Sequence, residues 1–209
     1  MLKPFNNKLH SFIAKFQDYF DLKSDTDKVN TVASIKSAIP MRGANLWYLI
    51  CSALLASIGL DVNSPAIIIG AMLISPLMSP ILGIGLSFGI HDKESILISV
   101  KEFTIAVVLS ILTSTAYFLV SPLGSPTTEI LARTNPTLLD VGVAFFGGVA
   151  GIVAGSRSKA ANAIPGVAIA TALMPPICSA GFGLASGNAK IFFGAIYLFF
   201  INAVFISLS

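Results

Sequence analysis

The sequence has little charge and few of the side chains that carry most catalytic chemistry. Of its 209 residues, 11% are charged and 55% are hydrophobic, with two histidines and two cysteines. Soluble domains carry roughly 25% charged residues, so this composition excludes an ordinary soluble domain. No Gly-rich phosphate loop, His-Glu-x-x-His pair, Cys-x-x-Cys pair or Gly-x-Ser-x-Gly elbow occurs. We therefore expect no enzymatic activity, no metal site and no cofactor.

The basic residues are few and lie mainly near the N-terminus. They form no patch interleaved with aromatics, so we expect no nucleic-acid binding. Apolar residues at three- and four-residue spacing over 9–22 predict an amphipathic helix, and a second, weaker helix is predicted to end at Pro40. This tail either lies in the membrane interface or binds a protein partner, and the sequence leaves both open.

The two ends of the chain carry limited signals. The charged N-terminus lacks a continuous apolar core with a cleavage site, so no signal peptide is expected. No polar anchor follows the last apolar segment, which favours a trimmed chain over a final helix that stops level with the membrane surface.

Six apolar segments follow the tail, at 44–60, 65–90, 103–120, 138–155, 160–185 and 191–208. A membrane span needs about 20 helical residues, so each set of three contains a short, an over-long and an ordinary segment. The sequence thus predicts an all-α integral membrane protein with six transmembrane helices. The predicted units are a cytoplasmic amphipathic helical tail (1–42), membrane repeat 1 (43–121) and membrane repeat 2 (138–209).

The over-long second and fifth segments match one another. Pro65, Pro76 and Ser79 each recur 100 residues later, and prolines inside such runs predict broken helices. Three crossings per repeat is an odd number, so the second repeat would be inverted. In the competing geometry, each broken segment is a re-entrant hairpin. Full crossings place eleven of the thirteen Lys and Arg residues on the inner side with both termini, and the positive-inside rule favours that arrangement.

The broken helices hold the candidate substrate pathway. Backbone groups freed by a break at membrane depth must be buried in protein or line a wet cavity. Hydroxyls at the breaks either repair the kinks or form a site near the midplane. The candidate residues in the first repeat are Asn63, Ser75, Pro76, Ser79 and Pro80, and in the second Asn162, Thr171, Pro175, Pro176 and Ser179.

Two classes of function fit these features. The first is a membrane transporter or channel-like protein that passes a small solute or ion between two Pro-broken helices. Because the span interiors carry no ionisable residue, a neutral or weakly charged solute is favoured. The alternative is a non-transporting assembly or sensor subunit whose N-terminal tail binds a partner. Glycines four residues apart predict close helix packing in the lipid bilayer and a homo-oligomer.

Several motifs resemble a known family. They are RGANLW (42–47), ASIGL (56–60), NSPA (63–66), IGAMLISPLM (69–78) and ALMPPI (172–177). The sequence from about Met41 onward is similar to the uncharacterised hydrophobic membrane proteins called domain of unknown function 389. The resemblance implies a prokaryotic multi-pass membrane protein. Together with the positive-inside distribution of Lys and Arg, this predicts a place in the inner membrane with a cytoplasmic N-terminus. It implies no substrate.

Overall fold

The computed structural model describes residues 28–121, 124–155 and 173–208. These residues form helices and connecting turns, with no strand among them. The nine helices of this part of the chain are α1 (Lys28–Ala38), α2 (Ala44–Asp61), α3 (Pro65–Ile74), α4 (Met78–Gly89), α5 (Lys93–Val120), α6 (Thr128–Ala132), α7 (Leu138–Gly155), α8 (Met174–Ala185) and α9 (Ala189–Leu208). The prediction of an all-helical fold is confirmed for these residues. The amphipathic stretch 9–22 lies outside them.

Fewer spans are found than the six expected. Three helices of the described part, α2, α5 and α9, are long and apolar enough to cross a membrane. The pair α3 and α4 makes a fourth span if counted as one, with a bend of 55°. Helix α7 offers only a shorter apolar stretch, and much of the predicted fifth span lies in 156–172, outside the described residues. The apolar helices suggest a membrane protein.

The break between α3 and α4 lies at one of the two predicted prolines. Ser75 and Pro76 follow the end of α3, whereas Pro80 lies in the first turn of α4. Backbone N–H groups of a first turn have no intrahelical partner, so a proline there costs no hydrogen bond. Pro175 and Pro176 occupy the same turn of α8. The predicted break of the second segment is therefore found at residues 75–77, whereas the residues before α8, where a break of the fifth segment would lie, are outside the described part of the chain.

Helix α5 begins ten residues before the predicted apolar segment. The Asp92 side chain accepts a hydrogen bond from the Ser95 N–H at 3.1 Å and caps the helix. The first turns of α5 carry charged residues, so the helix is longer than its apolar part. The apolar segment therefore did not show where the helix begins.

Three tight turns between helices share one pattern of backbone hydrogen bonding. The N–H of Ser64, Asp92 and Asn188 donates five residues back, to the carbonyl oxygens of Gly59, Ser87 and Gly183, at 2.8, 2.9 and 2.9 Å. The residue before each donor has a positive φ, 54° at Asn63, 57° at His91 and 66° at Gly187. This is the bonding of the Schellman helix end.

The second and third of these turns lie 96 residues apart. In the register that this spacing gives, Met78 corresponds to Met174, and Pro80 corresponds to Pro176. The spacing differs from the offset of 100 found in the sequence by four residues, which is close to one 3.6-residue helical turn.

The two hairpins run in opposite directions. The Ser114 hydroxyl donates to the Cys178 carbonyl at 2.9 Å, and four residues further along both helices the rings of Phe118 and Phe182 lie 5.1 Å apart. Helices α5 and α8 are therefore parallel. Because α4 and α5 are joined by a tight turn, α4 and its counterpart α8 are antiparallel.

Candidate functional site

Ser75, at the break, both repairs the kink and joins the two halves. Its Oγ accepts the Leu77 N–H at 3.4 Å, and its hydroxyl donates to Met174 Sδ at 3.8 Å. The next turn is closed by the Ser79 N–H, which donates to the Pro76 carbonyl at 3.2 Å. Ser75, Pro76 and Ser79 are half-buried, and Pro80 is buried.

The predicted residues of the second repeat are the more deeply placed. Pro175, Pro176 and Ser179 are buried in α8, and the Ser179 Oγ has no hydrogen-bond partner among the described residues. Asn162 and Thr171 lie outside the described residues. The structure shows no hydrogen bond that joins Ser75, Ser79 and Ser179, so within the described part of the chain these hydroxyls do not form one cluster.

Asn63 has a structural role. It occupies the left-handed position of the first tight turn, which asparagine tolerates better than most residues. Its Oδ1 accepts hydrogen bonds from the Thr128 hydroxyl at 2.8 Å and the Glu129 N–H at 3.1 Å. Asn63 thereby ties α6 to the turn between α2 and α3, at the edge of a pocket.

That pocket has a volume of about 290 Å³ and lies between α3, α6, α7, α8 and α9. Its apolar walls include Ile68 and Met72 of α3 and Leu198 of α9. Pro176 is the one predicted site residue of the described part that lines it. Residues before and after position 121 both line the pocket, which lies beside α3 and not at Pro76.

Four polar side chains line the same pocket. Arg133 pairs with Glu129 at 3.2 Å through Nη2. Asp140 Oδ2 accepts the N–H and the hydroxyl of Thr137, each at 2.7 Å. Asn202, 3% exposed, lies among the apolar residues of α9. Two carboxylates and one guanidinium leave the lining with one net negative charge.

Two buried carboxylates were missed by the sequence analysis. Asp61, at the end of α2, accepts the Tyr117 hydroxyl at 3.0 Å, and Glu102, within α5, accepts the Met41 N–H at 3.1 Å. They are 5% and 6% exposed. The first predicted span ended at residue 60 and the third began at residue 103, so Asp61 and Glu102 were placed just outside these spans. A signal was present, because Glu102 opens a stripe of every fourth residue, all buried: 102, 106, 110, 114 and 118.

The fold and pocket define a class: an all-helical chain whose apolar helices suggest a membrane protein, with a partly charged pocket between its two halves. The family model described as "Domain of unknown function (DUF389)" matches residues 72–208. This match covers more than half of the chain, which therefore belongs to that family, as the resemblance predicted.

A curated relative and the solved structures complete the comparison. An uncharacterized protein of Methanocaldococcus jannaschii is 29% identical over 165 residues, which cover 79% of this chain. The matched region is 51% of that relative, so the chain spans about half its length. No solved structure matches the chain.

Proposed function

We propose that this protein passes a small solute across a membrane through the pocket between its two halves. The observation that carries the proposal is the pocket itself, which places charged side chains at a rim and the Asn202 amide among apolar helices. Polar groups inside apolar helices commonly mark substrate or ion pathways. No enzymatic reaction is part of the proposal.

The proposed architecture is two inverted three-helix repeats that give six crossings. Three observations support it: the offset of 96 residues between matching turns, the opposite directions of α4 and α8, and the equal lengths of α2 and α7, 18 residues each. The distribution of Lys and Arg supports a cytoplasmic N-terminus, and the family resemblance supports a prokaryotic inner membrane.

The pocket chemistry favours a neutral or cationic solute. Glu129 and Arg133 neutralise one another, so Asp140 supplies the unbalanced charge. An amide such as Asn202 both donates and accepts, which suits a polar solute that leaves its water. Anions are disfavoured by the net charge of the lining.

The test is osmotic shrinkage and swelling of proteoliposomes in glycerol, urea and methylammonium. Val143 lines the pocket and is 56% exposed, so Val143→Trp fills the entrance without burying extra volume in a packed core. Leu139, one turn away on α7, is 80% exposed and lies outside the lining, so Leu139→Trp is the matched control.

We expect at least one solute to enter faster than in protein-free liposomes, and Val143→Trp to slow it several-fold while Leu139→Trp does not. Equal rates for all three solutes with and without protein would contradict transport of this class. Equal slowing by both variants would contradict the assignment of the pocket.

A second candidate, the sensor or assembly subunit, is favoured by the way α1 is attached. Lys36 pairs with Asp92 at 2.6 Å, so the C-terminal end of α1 is held at the α4–α5 turn. A partner that binds α1 would find this end of the helix at a fixed position. Retention of a partner by residues 1–27, in a protein that moves none of the three solutes, would favour this function. A homo-oligomer is compatible with both proposals.

A further inference from the structure

The pocket has a counterpart at the opposite end of the molecule. In the 96-residue register, the pocket residues Pro176, Leu198 and Asn202 correspond to Pro80, Glu102 and Ala106. The first set lies beside an open pocket. The second set is buried, with Pro80 below 2% exposed, Glu102 at 6% and Ala106 at 0%.

The segment 36–41, at the end of α1 and the start of its connection to α2, covers this counterpart. Ile39 is 3% exposed and lies against Gly83, where an added Cβ would come within 2.7 Å of both the Ile39 side chain and Ser99 Oγ. Met41, also 3% exposed, donates its N–H to Glu102 at 3.1 Å. The backbone of the segment thus reaches the residue that corresponds to Leu198 of the open pocket.

An ion pair holds the outer end of the segment. Lys36 Nζ lies 2.6 Å from Asp92 Oδ2, and the Ser95 hydroxyl donates to the same oxygen at 2.7 Å. The hydrogen bond from Lys36, followed by those from Ser95, holds the pKa of Asp92 well below its usual range. The side chains are 37% and 28% exposed, so this contact is within reach of water. Exposed ion pairs are weak, and such a contact can open and close.

We propose that segment 36–41 is an inner gate, which fills the inner half-site while the outer half-site is open. The inference rests on the proposed function, since a gate needs a pathway to close. Two inverted halves with one mouth open and the other covered form the arrangement that alternating access requires. Passage to the inner side then requires the segment to leave Gly83 and Glu102.

The test measures access to the covered position directly. The background carries Cys51→Ser and Cys178→Ala, and Ala106→Cys provides a single reporter thiol. A membrane-impermeant maleimide is added to the inner side of oriented vesicles. The gate is weakened by Lys36→Ala with Ile39→Ala, which removes the ion pair and most of the side chain against Gly83. The control is Val29→Ala, because Val29 is 80% exposed on the same helix.

We expect the weakened gate to raise the labelling rate several-fold and Val29→Ala to leave it unchanged. Unchanged labelling in the double variant, eluting as folded protein, would overturn the gate. Lys36→Arg keeps the ion pair and should restore slow labelling when it replaces Lys36→Ala in the double variant, which a general loosening of the fold would not do.

A locking variant covers the case in which the double variant fails to fold. Ile39→Cys and Ser99→Cys both lie beside Gly83, and a short thiol cross-linker should hold the segment closed. Cross-linking should stop flux reversibly if the linker is cleavable, and unaltered flux after complete cross-linking would overturn the gate.

Labelling and flux separate the two proposals. If the weakened variant is labelled faster but the protein moves no solute, the segment moves and the proposed transport function is contradicted. Solute flux through a protein whose labelling never changes contradicts the gate and leaves the proposed function standing.

Discussion

The hairpins α4–α5 and α8–α9 have the same turn and different surroundings. In both hairpins a side chain at the start of the second helix accepts a hydrogen bond from the backbone N–H three residues later. Asp92 accepts from Ser95 at 3.1 Å, and Asn188 accepts from Ile191 at 3.2 Å. Yet four of the twelve residues of α4 are buried, against ten of the twelve in α8. The turn depends on local residues, whereas burial depends on which helices pack around each hairpin.

The hairpins also differ in what covers them. Segment 36–41 closes the face of α4 and α5, while α6 and α7 leave a pocket beside α8 and α9. The two hairpins therefore hold different side chains at positions 96 residues apart, a buried carboxylate at Glu102 and an apolar wall at Leu198. The following variants test how far this difference extends.

The largest effect is expected at Gly183, whose counterpart in α4 is Ser87. A Cβ at Gly183 would lie 2.5 Å from the Phe192 backbone nitrogen, whereas the α4–α5 hairpin accommodates a side chain at the same position. Backbone cannot move aside as a flexible side chain can, so we expect Gly183→Ala to destabilise by about 1–3 kcal/mol. Thermal unfolding in detergent measures it.

The matched control is Gly70→Ala in α3. No atom would lie within 4 Å of the added Cβ, so the substitution should be neutral or stabilise by about 0.5–1 kcal/mol, because alanine favours helix more than glycine does. Similar melting shifts for both variants would mean that the close approach at Gly183 carries no energy.

The second effect concerns the buried carboxylate. Glu102→Leu places a leucine at the covered position, as at Leu198, and leaves the Met41 N–H without its acceptor. The free energy of unfolding should fall by about 1–3 kcal/mol. Glu102→Gln retains an acceptor oxygen and should cost less. Hydrogen exchange at Met41 should accelerate in the leucine variant more than in the glutamine variant. Equal exchange in both would show that the carboxylate does not hold the segment.

Substitution of two buried serines by alanine should have different effects on stability. Ser114 donates to the Cys178 carbonyl, so Ser114→Ala should cost about 1 kcal/mol. Ser179, without a partner among the described residues, loses no such bond, and Ser179→Ala should leave the melting temperature unchanged or slightly higher. A larger loss at Ser179 than at Ser114 would contradict the absence of a stabilising hydrogen bond at Ser179.

The smallest effect is a pH dependence confined to one hairpin. The pKa of folded Asp92 is lowered mainly by its hydrogen bond from Lys36, so the stability that the contact contributes is fully present above the ordinary aspartate pKa of about 3.9 and is lost as pH falls from there through the lowered pKa of the folded protein. Asn188, at the matched position, has no charge to lose.

Trp47, the only tryptophan, lies at the start of α2 close after segment 36–41, and its emission can follow the release of the segment in acid. We expect the emission of Trp47 to shift in acid in the unsubstituted protein, and we expect Asp92→Asn to abolish that shift. A shift of the same size in both proteins would assign the acid response to another group.

Much of the fold was predictable because apolar periodicity and helix ends are local. The end of α1 shortly before Pro40, the break at Pro76 and the turns at Asn63 and His91 all follow from residues adjacent in sequence. The candidate site was less predictable. Ser75 and Pro76 were assigned from the break itself, but the polar pocket residues lie on α6, α7 and α9, outside the broken helices.

The sequence by itself determined that the chain forms apolar helices, where most of them break or turn, and that two segments share proline and serine positions. The tertiary structure decided the spacing of the matching tight turns, the burial of Glu102 and Asn202, and the covering of Glu102 by segment 36–41. The physical reason is that hydropathy and turn chemistry act within one or two helical turns. The contacts of Met41 with Glu102 and of Ser75 with Met174 join residues 61 and 99 positions apart, and only packing brings them together.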